Sequence, residues 1–216
     1  MGYRSQVLSN SNYKCNYVHK TATYRGCPPN PAHMVVAFRD GFTGIAIHAT
    51  KPGFLDRLRR IRLIQCGIPH IAQIADIVDD VVVCEMAEGC LVWEDEQPPN
   101  CDAIEPALRE TVAALGAANL VHCDIRPWNI FFSREDSKIT LIDWSLSFFV
   151  DEPTRHSESH IRDRGHAWTR QTETEIDPAD IQKTLDVLRG HATPESQWNH
   201  PCSTFSWRPR WCRLPA

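Results

Sequence analysis

Four polar residues set among apolar segments constrain this 216-residue chain more than any other feature. Three form the pattern His122-x-Asp124-x-x-x-x-Asn129, and the fourth, Asp143, follows fourteen residues later. A helix runs into the pattern. Two short apolar strands follow it, Ile130-Phe-Phe132 and Ile139-Thr-Leu-Ile142, joined by a charged turn. Such a pair reads as a hairpin, which brings its two ends together. Asn129 and Asp143 flank that hairpin, so the fold has to gather a carboxylate, an amide and a second carboxylate near one place.

The rest of the chain supplies strands first and helices later. Met34-Val-Val-Ala-Phe38 and Gly44-Ile-Ala-Ile-His48 read as strands around the turn chemistry of Arg39 to Gly44. Leu55, Leu58, Ile61 and Ile64 give a helix over about 54–65, with Gly67 just past its end. Its arginines, Arg57, Arg59, Arg60 and Arg62, read as a solvated face. Ile68 to Ile77 and Val81 to Cys84 read as strands around Asp79-Asp80. Asp102 with Glu105 offers a capping box for a helix whose stripe is Ile104, Leu108, Val112 and Leu115. Asp177 as cap, Pro178 in the first turn and Gly190 as stop mark another helix. These elements make an α+β arrangement of two lobes, with a hinge near 85–92. The boundaries expected are a loosely ordered arm over 1–32, a first lobe over about 33–88, a second over about 89–190, and a basic aromatic tail over 191–216.

Composition removes several classes. A formal charge of −4 is the wrong sign for a protein that coats nucleic acid. Arg and Trp in the tail would allow stacking on single-stranded RNA, but a disordered or folded-back tail is the plainer expectation. No apolar run approaches a membrane span, and the start carries no secretory pattern. Nine cysteines include no CxxC pair and no zinc-finger spacing, so free thiols in a reducing compartment are expected. The location implied is cytoplasmic, with the nucleus also open.

The segment from Leu120 to Ser145 resembles the catalytic loop and metal-binding aspartate of the protein-kinase-like superfamily. There H-x-D-x-x-x-x-N precedes D-F-G, for which this chain has Asp143-Trp144-Ser145. The resemblance implies a protein-kinase-like fold with a small β-rich N-lobe and a shortened, mainly helical C-lobe. It implies an ATP- and Mg2+-dependent kinase acting on serine or threonine of a protein substrate. Asp124 would be the catalytic base. Asn129 and Asp143 would hold the metal, and Arg126 would sit beside the transferring phosphate. His122 would be a scaffold that holds the loop by hydrogen bonds. Further back, Val81 to Gly89 resembles the kinase strand and hinge. Cys84 would take the gatekeeper place, and Glu85 to Ala87 would offer backbone to adenine.

The first half departs from the family. No G-x-G-x-x-G loop occurs, and Ile45-Ala-Ile-His48 puts histidine where V-A-I-K has lysine. Lys51 is the nearest replacement. Arg59 falls near the place of the helix glutamate, and Asp56 is the only acid close by. The shortness is similar to compact kinases, such as the small atypical kinase of the KEOPS complex, and implies a partner protein that completes the fold. Two other readings stay open. One is a pseudokinase scaffold without turnover. The other is a small-molecule phosphotransferase of the aminoglycoside or choline kinase type, which shares H-x-D-x4-N and often has Trp after the metal aspartate.

Overall fold

Hydrophobic alternation and turn chemistry put the strands of the first half into one antiparallel sheet. In this computed structural model the residues described are 14–17, 35–39, 42–48, 53–93, 95, 97, 99–152 and 175–198. The chain divides into two compact units. The first is Met1–Gln65 with Ala72–Met86, and the second is Cys66–Ile71 with Ala87–Ala216. The division after Met86 falls two residues before the boundary expected from sequence. The short segment Cys66–Ile71 crosses to the second unit, which sequence does not suggest.

The first unit is a five-stranded sheet in the order β1-β2-β3-β5-β4. Its strands are β1 (Lys14–Tyr17), β2 (Val35–Arg39), β3 (Phe42–His48), β4 (Ile74–Val78) and β5 (Val81–Glu85). β1 falls in the segment expected to be an arm, and its Lys14 pairs with Phe38 of β2. β3 lies against β5, with Ile45 opposite Cys84 and His48 opposite Val81. Val81, Val82, Val83 and Cys84 are all buried, as their unbroken apolar run requires.

Helix α1 (Phe54–Ile64) buries Leu58 and Ile61, the middle of the expected stripe. Of its arginines, Arg59 and Arg62 are exposed but Arg57 is buried, so the solvated face is narrower than expected. The Gln65 amide fastens the end of this helix to β4. It donates to the Ile74 carbonyl at 3.0 Å and accepts from the Ile74 N–H at 2.7 Å. The strand expected from Ile68 is shorter and starts at Ile74, because Pro69–His70 form a turn and Ile71 makes only an isolated bridge, to Leu141.

The second unit holds β6 (Cys90–Leu91), α2 (Cys101–Ala117), β7 (Leu120–Val121), β8 (Ile130–Ser133), β9 (Lys138–Leu141), β10 (Phe148–Phe149), α3 (Ile176–Leu188) and the single turn α4 (Pro194–Gln197). β6-β8-β9 form one small sheet and β10-β7 another. α2 packs on α3 and on β9. Its buried residues are Ile104, Leu108, Thr111 and Leu115. Thr111 replaces the expected Val112 in the stripe because its hydroxyl bonds Ala107 O at 2.8 Å and Pro69 O at 3.2 Å. The expected capping box is absent. Asn100 is the N-cap, and Glu105 instead pairs with Arg109 and with Arg189, each at 2.7 Å.

Cys66–Ile71 docks in the second unit through backbone as well as through Thr111. The Leu141 N–H donates to His70 O at 2.8 Å, and Ile71 makes a parallel bridge to Leu141. At the other end of the β8–β9 sheet, Gly89 has φ 85°, and a Cβ there would lie 2.2 Å from the Phe132 carbonyl oxygen. Only glycine fits such an approach in that backbone region. No helix among the described residues is long and apolar enough to cross a membrane.

Candidate active site

Two strand pairings force the polar turns together. β7 pairs with β10, Val121 opposite Phe148. β8 pairs with β9, Ile130 opposite Leu141, and the ladder runs on through the Ile142 N–H to Asn129 O at 2.9 Å. The loop 122–129 lies between β7 and β8, and the turn 142–147 lies between β9 and β10. Each loop is therefore pinned at both ends beside the other. Asp143 comes one residue after the last rung, so the chain brings it next to the Ile142–Asn129 pair, as the hairpin reading expects.

Within the loop, Asp124 is 3% and Asn129 5% exposed. The Asn129 Nδ2 donates to Asp124 O at 3.0 Å and to Asp124 Oδ2 at 2.8 Å. Both partners are acceptors, so the nitrogen must face them, and the amide oxygen faces away. Arg126 Nε lies 2.7 Å from Asp124 Oδ1. Asp124 is thus held at Oδ2 by a hydrogen bond and at Oδ1 by an ion pair.

Asp143 is exposed, with φ 72° and ψ 81°, and its Oδ1 accepts from the Ser145 N–H at 3.0 Å. A short polar side chain that bonds its own following backbone is the type that tolerates this left-handed region. Trp144 points inward, 5% exposed, and its ring lies 4.9 Å from that of His122.

His122 is fully buried, but neither ring nitrogen makes a hydrogen bond among the described residues. Its ring braces the loop by contact with Trp144, whereas the resemblance implied hydrogen bonds. The hydrogen bonds come from Asp177. Its Oδ2 accepts the His122 N–H and its Oδ1 accepts the Cys123 N–H, both at 2.8 Å. Asp177 is therefore an anchor inside α3, where sequence suggests a cap. Burial pushes its carboxyl above the usual aspartate range, although these two N–H bonds pull the other way. Cys123 has φ 64°, an unusual backbone for a non-glycine residue. The carboxylate holds that kink directly before Asp124.

The same face of α3 carries Asp180 and Thr184, both fully buried. Thr184 Oγ1 donates to Ile125 O at 2.7 Å. Burial pushes the Asp180 carboxyl well above the usual range; the Asp177 charge adds to this and Arg126 opposes it. Sequence reasoning missed this face. The signal is present as a polar i, i+3, i+7 series, 177, 180 and 184, beside the buried Ile176, Ile181, Leu185 and Leu188.

Arg126 is 1% exposed. Its guanidinium carbon lies 5.5 Å from the ring centroids of both Trp128 and Trp198. The sequence argument put this cation beside the transferring phosphate, but the structure surrounds it with Asp124 and two indoles. Trp198, which the composition assigned to the tail, is 1% exposed and clusters with Trp93 and Val187.

The remaining candidates lie in or near the first unit. His48 ends β3, and Lys51 lies outside the described residues. Glu85 is exposed at the end of β5, with Ala87 two residues beyond. Asp56, the acid nearest the helix-glutamate place, is 78% exposed and pairs with Arg59 at 2.9 Å. Cys84 is buried, and burial pushes its thiol up to about 12, so it serves as a small apolar side chain. Among the described residues no group of three or more His, Cys, Asp or Glu gathers as metal ligands. Asn129 and Asp143 remain as an oxygen pair of the kind magnesium takes alongside phosphate.

Comparison with known proteins fits this geometry. Among solved structures, the chain is similar to the kinase PK-1 of the Cydia pomonella granulovirus. The TM-score is 0.56 at 15% identity, over 85% of this chain and 71% of that one. That likeness shows a protein-kinase-like fold, in keeping with the α+β class. The model of the RIO domain matches residues 56–163, half of the chain, from α1 through the whole catalytic-loop segment. The protein therefore belongs to the RIO domain family of atypical kinases.

Proposed function

We propose that the chain transfers the γ-phosphate of ATP, with Mg2+, to a serine or threonine hydroxyl of a protein. Family membership makes it a kinase-type phosphotransferase; the nucleotide, the metal and the acceptor are the proposal. The observation that carries it is the orientation of Asn129. Its nitrogen is spent on Asp124, so its oxygen, a hard ligand, is turned away from that carboxylate, and its backbone carbonyl accepts from the N–H of Ile142, the residue before Asp143.

The residues fit the group. Asn129 and Asp143 would hold the metal, with the remaining ligands coming from phosphate and water. The bound ion would supply neutralisation of phosphate charge. Asp124 would accept the proton of the acceptor hydroxyl, and its two fixed oxygens would orient that hydroxyl. The buried Arg126 supports this role by holding Asp124 Oδ1. The backbone of Glu85 to Ala87 would meet adenine, and His48 or Lys51 would take the place of the missing strand lysine. A cytoplasmic protein substrate and a partner that completes the short fold belong to the same proposal.

One observation favours a second reading, a nucleotide-binding scaffold without turnover. The only acid of α1, Asp56, is already paired with Arg59, so no helix carboxylate is left for a strand cation. The test is transfer of labelled phosphate from ATP by wild type, Asp124→Asn and Asp143→Ala, with nucleotide binding measured in parallel. Transfer lost in both variants, with Mg2+-dependent nucleotide binding weakened only in Asp143→Ala, supports the enzyme. Binding without transfer in wild type supports the scaffold. Equal turnover in all three proteins refutes the site. Transfer to aminoglycosides or small alcohols in place of protein would move the assignment to the small-molecule class.

A further inference from the structure

We propose that Trp198 is a positioning residue for Asp124, acting through Arg126. The inference rests on the role proposed for Asp124, and on a stack that no part of that role requires. Arg126 carries a full charge in a site that leaves it 1% exposed. Its Nε meets Asp124 Oδ1 at 2.7 Å, and its planar end lies 5.5 Å from the centroids of Trp128 and Trp198. A guanidinium with aromatic faces around it keeps one orientation, and desolvation strengthens the attraction to the rings. The direction of the Asp124 carboxylate is then set by one hydrogen bond, from the Asn129 amide to Oδ2, and one ion pair, between Oδ1 and the Arg126 guanidinium. Trp128 belongs to the loop itself, but Trp198 arrives from seventy residues downstream of it.

The chain takes care to deliver that indole. α4 is a single turn closed by reciprocal bonds, Thr193 N–H to Ser196 Oγ at 3.2 Å and Ser196 N–H to Thr193 Oγ1 at 3.3 Å. Trp198 follows directly. It meets Trp128 edge-on with centroids 5.1 Å apart, and Trp128 meets Trp93 edge-on at 5.9 Å. Its indole N–H has no hydrogen-bond partner among the described residues. A buried donor left unsatisfied opposes folding. A leucine or methionine would fill much of that space without stranding an N–H, so the aromatic face is what the site uses.

The experiment compares Trp198→Met, which keeps apolar bulk without a π face, with Trp198→Phe, which keeps a π face. Two readouts are taken on the full chain once circular dichroism shows each variant folded: phosphate transfer, and the nitrogen-15 NMR signal of the Arg126 Nε–H, assigned with Arg126→Lys. The expected result for Trp198→Met is a fall in kcat of about tenfold with KM for ATP within about twofold, together with a downfield move of the Arg126 signal. Trp198→Phe should stay close to wild type in both. A Met variant that leaves kcat and the Arg126 signal unchanged overturns the inference, as does a Phe variant impaired as much as Met. Should wild type transfer no phosphate, the phosphotransfer reading fails, and the Arg126 signal alone still decides whether Trp198 sets this side chain.

Discussion

Replacing Asp177 by asparagine isolates what holds the 122–129 loop in shape. Asp177 is 3% exposed and accepts the His122 and Cys123 N–H groups, one on each oxygen, both at 2.8 Å. Asparagine is nearly the same size but has one acceptor oxygen. One backbone N–H keeps a partner, while the other faces an NH₂ group, donor against donor. A hydrogen bond to a charged group is worth about 1.5–3 kcal/mol, and a stranded buried donor costs about 1–3 kcal/mol. Burial already pushes the Asp177 carboxyl upward, so removing its charge returns part of that sum. The net loss expected is about 2–3 kcal/mol, and more for alanine, which strands both donors. Urea unfolding at neutral pH should show a lower midpoint with an unchanged slope. Hydrogen exchange should show the Cys123 and His122 amides losing protection before the rest of the unit. Activity should fall further than stability, because the Cys123 kink at φ 64° immediately precedes Asp124. A variant within about 0.5 kcal/mol of wild type, with both amides still protected, would refute the argument.

Two other outcomes follow from the same reasoning. Gly89→Ala should destabilise the protein by at least about 2 kcal/mol in denaturant titration, since the left-handed φ and the Phe132 carbonyl both oppose a Cβ; an unchanged midpoint would contradict the close approach. Asp180, whose folded pKa is raised well above 3.8, binds its proton more tightly folded than unfolded. The stability this adds is complete below the unfolded value and is lost as pH rises through the folded one, so the slope of stability against pH in that window is negative for this group. Asp180→Asn should remove that contribution, which unfolding curves measured across the window would detect as a less negative slope.

Much of the local structure was legible because it depends on neighbours in sequence. The stripe Leu58 and Ile61 gives α1, and apolar runs around a charged turn give β8 and β9, nearly to the residue. The pairing of Asn129 with the Asp143 turn follows from that hairpin. What sequence hid is set by contacts far along the chain. Asp177 before Pro178 has the signature of a helix cap, because caps and loop anchors both use a short carboxylate to accept backbone N–H groups. Only the fold says whose N–H groups they are. Trp198 sits in a stretch rich in Trp and Arg, and composition alone assigns such a stretch to a tail. Arg126 reads as a phosphate-facing cation until the two indoles around it are seen. Thr111 displaced Val112 from the buried face because a distant carbonyl, Pro69 O, was there to receive its hydroxyl.

The excursion of Cys66–Ile71 away from its sequence neighbours has a practical consequence for anyone dissecting this protein. A fragment beginning at Ala87 would look like a clean cut between units. It would nevertheless lack the His70 carbonyl that receives the Leu141 N–H, the bridge from Ile71, and the Pro69 carbonyl above Thr111. Leu141 is the penultimate residue before Asp143. Severing the chain there would free the edge of the very hairpin that Asn129 and Asp143 flank, so silence from such a fragment would speak about the cut and not about the intact protein.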